Sequence, residues 1–171
     1  ATLPSYAVRP GVTFQDWPVV SSLVVKDALL AMVGSGHVLN RWSGYDPATD
    51  RVRVVLLQLY AEHGRAPTPG ALAKCAALSE TAIQPLLQDL RRRDLVVLDG
   101  DKIVGAYPFT DRDTGHRVTL DGRTLNAMCA VDALGIGAMT GHDIAIASSC
   151  RYCGAPIRIA TRDRGRALAQ V

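Results

Sequence analysis

Hydrophobic positions recur at helical spacing through the N-terminal half of the chain and then give way to short alternating runs. Residues 1–10 hold two prolines and little periodicity and read as an extended arm. Residues 21–32 carry Leu23, Val24, Leu29 and Leu30 at helical spacing and stop near Gly34 and Gly36, before a loop. Asp46-Pro47 reads as a helix start, with aspartate as cap and proline in the first turn. Val54, Val55, Leu57, Leu59 and Tyr60 carry that helix to about His63, where Gly64 stops it. Thr68-Pro69 opens a second helix, through Leu78, and Ser79 caps a third that ends near Arg93. Pro85 inside the third predicts a kink or a later start. Residues 95–98 and 102–107 then form a hairpin around an Asp99-Gly100 turn.

Beyond Tyr107 the spacing changes. Residues 117–120 alternate as a strand, Asp121-Gly122 is a turn, and residues 125–134 have helical spacing. Residues 144–147 and 157–160 read as two more strands. Cys150-Arg151-Tyr152-Cys153-Gly154 is the turn between them, and the charged residues 162–171 form a loose tail. The fold class that follows is α+β. A three-helix, winged-helix-like domain (residues 45–108) precedes a small mixed or antiparallel sheet domain (109–171) with a helix carrying Cys129 and Asp132. Residues 1–44 form an arm and a first helix.

A 171-residue chain with 48% hydrophobic and 20% charged residues can bury a core and is not compositionally disordered. With few aromatics, that core rests on Leu, Val, Ile and Ala. A formal charge of +3 requires neither nucleic acid nor an acidic ligand. The first ten residues lack an apolar signal core, and no apolar run is long enough to span a bilayer, so the expected setting is cytoplasmic with no membrane partner. The four cysteines are then expected as free thiols, metal ligands or catalysts rather than disulfides.

Cys75 falls in a helical pattern and is expected as a small buried core residue. Cys129 and Asp132, three apart at the start of a helix, would share one face, with the helix dipole favouring the thiolate and the acid able to hold or deliver a proton. Against that stands a buried cysteine beside a solvent-facing aspartate. Cys150 and Cys153 form a C-x-x-C turn, open to three readings: half a soft-metal site that His142 or Cys129 would have to complete, a redox pair, or incidental thiols. His63 and His116 have no local partner. Arg91, Arg92 and Arg93 end the third helix, where a winged helix would read DNA, although basic residues also suit a solvated helix C-terminus. Phosphate-loop, dinucleotide, nucleophile-elbow and zinc-protease motifs are absent from the sequence.

The runs Gly100-Asp-Lys-Ile-Val-Gly-Ala-Tyr107, His116-Arg-Val-Thr-Leu-Asp-Gly-Arg-Thr-Leu125 and Ala127-Met-Cys129-Ala-Val-Asp132-Ala-Leu134, followed by Ser149-Cys150-Arg-Tyr-Cys153-Gly154-Ala-Pro156-Ile157, resemble the alkylmercury (organomercurial) lyase family over residues 45 to 165. The resemblance implies that a thiolate at Cys129 takes the mercury, that Asp132 protonates the departing carbon, and that Cys150 is a structural cysteine. The family's second catalytic thiol belongs to a C-terminal segment without a match here. Cys153 is therefore the candidate second thiol and, with Cys129, the candidate ligand for Hg(II). No cofactor is implied: Hg(II) is the product, and excess thiol releases it. The partner is a small-molecule substrate, with a homodimer as the means of completing a short sheet, and with DNA the less expected partner. Two other functions use the same residues. The Cys129/Asp132 pair could perform proton transfer, isomerisation or cyclisation on an organic metabolite. Alternatively, the winged helix and cysteines could form a DNA-binding soft-metal sensor.

Overall fold

The computed structural model describes residues 22–34 and 46–171. Helix α1, Leu23–Gly34, belongs to a unit of its own, residues 6–46. It matches the helix expected over residues 21–32. Residues 47–171 lie within a second compact unit. There α2 (Pro47–His63), α3 (Pro69–Cys75) and α4 (Glu80–Arg92) precede β1 (Val96–Asp99), β2 (Lys102–Ala106), β3 (Phe109–Thr110), β4 (Arg117–Leu120) and β5 (Arg123–Ala127). Helix α5 (Ala130–Thr140), β6 (Ile144–Ser149), β7 (Pro156–Arg162) and β8 (Ala167–Gln170) follow. No helix among the described residues is long and apolar enough to cross a membrane.

Local chemistry sets the helix boundaries. Thr68 accepts a hydrogen bond from the Ala71 N–H, and Ser79 accepts one from the Ala82 N–H, each capping the helix that follows it. Helix α2 stops at Gly64, whose φ is 72°. Helix α3 ends at Cys75, short of Leu78, because Ala77 turns left-handed at φ 56°. Cys75 is exposed rather than buried, and Leu72, Ala73 and Ala76 form the inward face instead. Helix α4 starts at its Ser79 cap despite Pro85, so the start is not delayed. An interior proline costs about 3 kcal/mol. Burying Ile83, Leu87 and Leu90 gains roughly 1.5–3 kcal/mol each, which outweighs that cost.

Among the described residues, eight strands of this one chain form a single antiparallel sheet in the order β1-β2-β3-β5-β4-β6-β7-β8. Asp99 pairs with Lys102, so the β1–β2 loop is Gly100-Asp101, one residue later than the expected Asp99-Gly100 turn. Residues 125–127, expected as helix, are strand. They pair with Val118 on β4 and Phe109 on β3, and this cross-strand pairing prevails over the helical spacing. The tail expected to be loose turns through Asp163, Arg164 and Gly165, all at positive φ, and returns as β8 against β7.

β5 and β6 run parallel with β4 between them, since β4 pairs antiparallel with both. Helix α5 is the crossover joining them. It buries Ala133 and Ile136 on the face where Val118, Leu125, Ile144 and Ile146 also point inward. On the same face Tyr60 of α2 stacks on Phe109 at 5.5 Å. Across the other face, Thr119, Ala145, Ala147 and Ala160 line an open groove.

Gly165 sets the β7–β8 turn directly against α5. A Cβ there would stand 2.2 Å from the Gly137 carbonyl carbon, and φ is 73°. Gly165→Ala is therefore expected to destabilise the protein by about 2–3 kcal/mol in urea unfolding, from overpacking plus left-handed strain. Gly100→Ala, at φ 58° with nothing within 4 Å of its Cβ, should cost only the strain of about 1 kcal/mol.

Candidate active site

Cys129 lies at the junction of β5 and α5. It is the N-cap of the helix, with extended backbone at φ −149° and ψ 177°, and not a residue of the helix proper. Its sulfur accepts the Asp132 N–H at 3.5 Å. Asp132, at the third helical position, is buried at 5% exposure, whereas Cys129 is exposed. The Asp132 carboxyl hydrogen-bonds both the Cys129 sulfur and the Tyr107 hydroxyl. The pair expected from the sequence is therefore in contact, through a cap and the first turn rather than along one helix face.

The electrostatics depart from expectation. The Cys129 thiol is pushed above the ordinary cysteine range, first by desolvation on the side of the sulfur facing the protein and then by the Asp132 carboxyl. The backbone N–H groups of Asp132 and Val131 pull the other way, as a helix N-terminus should, but are outweighed. The net effect favours the thiol form of Cys129.

Tyr107 had no signal in the residue pattern. It belongs to the β2–β3 turn, which the Met128 N–H holds against β5 by a 2.9 Å bond to the Pro108 carbonyl. Burial and the Asp132 bond raise the tyrosine's pKa, so it remains a hydrogen-bond donor to the carboxyl. His116, for which no partner was expected, shares a 2.8 Å hydrogen bond with Ser148 across β4 and β6. Both line a shallow cavity of about 210 Å³ with Thr114, Gly115, Ser149 and Arg151. Thr114 donates to the Ala127 carbonyl at 2.6 Å and so ties this cavity to the end of β5, two residues before Cys129.

Cys150 and Cys153 occupy the β6–β7 turn, as the sequence reading expects, between the paired residues Ser149 and Pro156. His142 does not join them. It pairs with Asp121 at 2.9 Å, at the opposite end of β4. Among the described residues no three His, Cys, Asp or Glu side chains cluster closely enough to hold a metal ion. Of the arginines ending α4, Arg92 and Arg93 both bond Asp89, at 3.0 and 2.9 Å.

Comparison with known proteins points to one family. Residues 109–171 match the family model described as alkylmercury lyase. Alkylmercury lyases of Staphylococcus epidermidis and Bacillus cereus are each 33% identical over 104 residues, which is 61% of this chain and 46% of the relative. The chain thus spans about half the length of the curated relatives it matches. The crystal structure of the mercury-bound form of MerB2 superposes with a TM-score of 0.61 at 28% identity, covering 74% of this chain and 60% of that one. The segment that carries Cys129, Asp132, Cys150 and Cys153 is the part of the chain that matches the alkylmercury lyase family model.

Proposed function

We propose that the protein cleaves the carbon–mercury bond of an organomercurial, with Cys129 as the capturing thiol and Asp132 as the proton carrier. The observation that carries this reading is the hydrogen-bonded contact of an exposed soft sulfur with a buried carboxyl, within the segment matched to alkylmercury lyases. Thiolate sulfur prefers soft metals. As the sulfur of Cys129 bonds to mercury, its proton passes to Asp132 and the ion's original ligand departs. Sulfur donation weakens the carbon–mercury bond, and Asp132 returns the proton to the carbon. The hydrocarbon leaves and Hg(II) remains on sulfur. Tyr107 donates to the same carboxyl and holds it in place beside the sulfur.

In this reading the second thiol comes from the β6–β7 turn through Cys153. Excess external thiol carries the metal away, and no cofactor is required. The order α2, α3, α4 and the β1–β2 hairpin supports a winged-helix-like N-terminal module. The sharing of Asp89 by Arg92 and Arg93 supports a packing role for that module over DNA binding. A small-molecule substrate is then the partner.

Incubation with phenylmercury and excess thiol is expected to release benzene. Cys129→Ser should abolish release, and Asp132→Asn should slow it by about 10²–10⁴-fold, the usual worth of a positioned acid. No benzene from the wild type, or unchanged turnover by Cys129→Ser, removes the proposal. The proton's resting place has its own check. In protein with Cys75, Cys150 and Cys153 replaced by serine, alkylation of Cys129 by iodoacetamide should titrate above a free cysteine. Adding Asp132→Asn should lower that midpoint, because the carboxyl opposes ionisation. A midpoint below free cysteine would contradict the assigned electrostatics.

A further inference from the structure

We propose that Cys150 and Cys153 together form a dithiol seat for Hg(II), at the same end of the sheet as Cys129, which takes the ion once the carbon has left. The proposal rests on the mercury reading above and deepens it. Cys150 joins Cys153, the second thiol of that reading, in holding the ion after it leaves Cys129.

The turn is shaped around the Cys150 sulfur. The Cys150 N–H donates to the Ala155 carbonyl, and the Gly154 N–H donates to the Cys150 carbonyl, both at 2.8 Å. Gly154, at φ 71°, lets the chain double back. Within this loop the N–H groups of Tyr152 and Cys153 point at the Cys150 sulfur, and the Cys153 thiol hydrogen-bonds it. Donors aimed at sulfur stabilise negative charge there, which a metal ligand must carry.

Ligand number selects the ion. Zinc takes four ligands in a structural site. Among the described residues no third His, Cys, Asp or Glu joins the two thiols. A bare dithiol suits a soft ion satisfied by two sulfurs, and Hg(II) is the extreme case. Access is open as well: Cys153 is exposed and Tyr152 is 98% exposed.

Position completes the argument. The Ala127 N–H donates to the carbonyl of His116, just before β4, and Arg117, the next residue, pairs with Ala147 on β6. Cys129 beyond β5 and Cys150 beyond β6 therefore leave the sheet at the same end. The lateral offset is two strand spacings, roughly 10 Å. The transfer balances. Cys129–S–Hg⁺ and two thiols give Cys129–SH, the Cys150–S–Hg–S–Cys153 chelate and one proton, with no change of oxidation state.

The test uses the full chain, reduced, with Cys75→Ser and Cys129→Ser, so that only the turn thiols remain. One equivalent of mercuric chloride is added, followed by gel filtration in 2-mercaptoethanol. The chelate is expected to keep one Hg(II) per chain and to show mercury–thiolate ultraviolet absorption. Adding Cys150→Ser or Cys153→Ser should each reduce retention by roughly 10²-fold, through loss of the intramolecular second ligand. Retention unaffected by either change overturns the proposal, as does a reduced pair that keeps no mercury or only closes to a disulfide. The assay involves no carbon–mercury cleavage. Failure of benzene release with mercury held by the turn would sink the catalytic reading alone, while benzene release without retention would sink the dithiol seat alone.

Discussion

Helix α5 has to leave the end of β5, cross over β4 and deliver the chain to β6, and it does so by burying Ala133 and Ile136 on the sheet. That packing dictates where its first turn lies. The turn must sit above the sheet end at which β5 and β6 both finish. The Cys129 cap, the Asp132 carboxyl and the β6–β7 turn converge there because the crossover leaves them no other place. Gly137 permits the close approach, with Gly165 and Ile144 packed against it. Chemistry at one end of α5 is therefore held by backbone contact farther along the same helix.

The two sets of thiols are tuned in opposite directions by their surroundings. At Cys129 a neighbouring carboxyl and partial desolvation favour the protonated sulfur. At Cys150, backbone donors and a second thiol favour the ionised one. In the proposed reaction, a sulfur that brings its own proton suits the step that protonates carbon. Two thiols that meet in one turn suit tight holding of a soft cation. Tyr107 adds a third constraint, since its bond to Asp132 orients the carboxyl while leaving the sulfur accessible.

Much of this was legible in the sequence. Caps at Thr68 and Ser79, the Gly64 stop and the C-x-x-C-Gly turn are local signals and were read correctly, because each depends on neighbours a few residues away. The misread positions depend on distant partners. Residues 125–127 have helical spacing but become strand because β3 and β4 supply ladder partners. Residues 167–170 look like a charged tail but gain an edge position beside β7. At the site, the Cys129/Asp132 pair could be proposed from spacing. The bond between His116 and Ser148, 32 residues apart, and the approach of Tyr107 to Asp132 could not. The direction of the thiol's shift was missed for a related reason: the dipole of a helix start is visible in sequence, whereas desolvation is not.

The cap position also has a consequence for the stability of the first turn of α5. Helix starts are most stable with Ser, Thr, Asp or Asn, and sulfur is a poor substitute as an acceptor. The 3.5 Å approach of the Asp132 N–H to sulfur is correspondingly long. Serine at this position would supply a stronger oxygen cap, so the Cys129→Ser variant is expected to fold at least as stably as its parent.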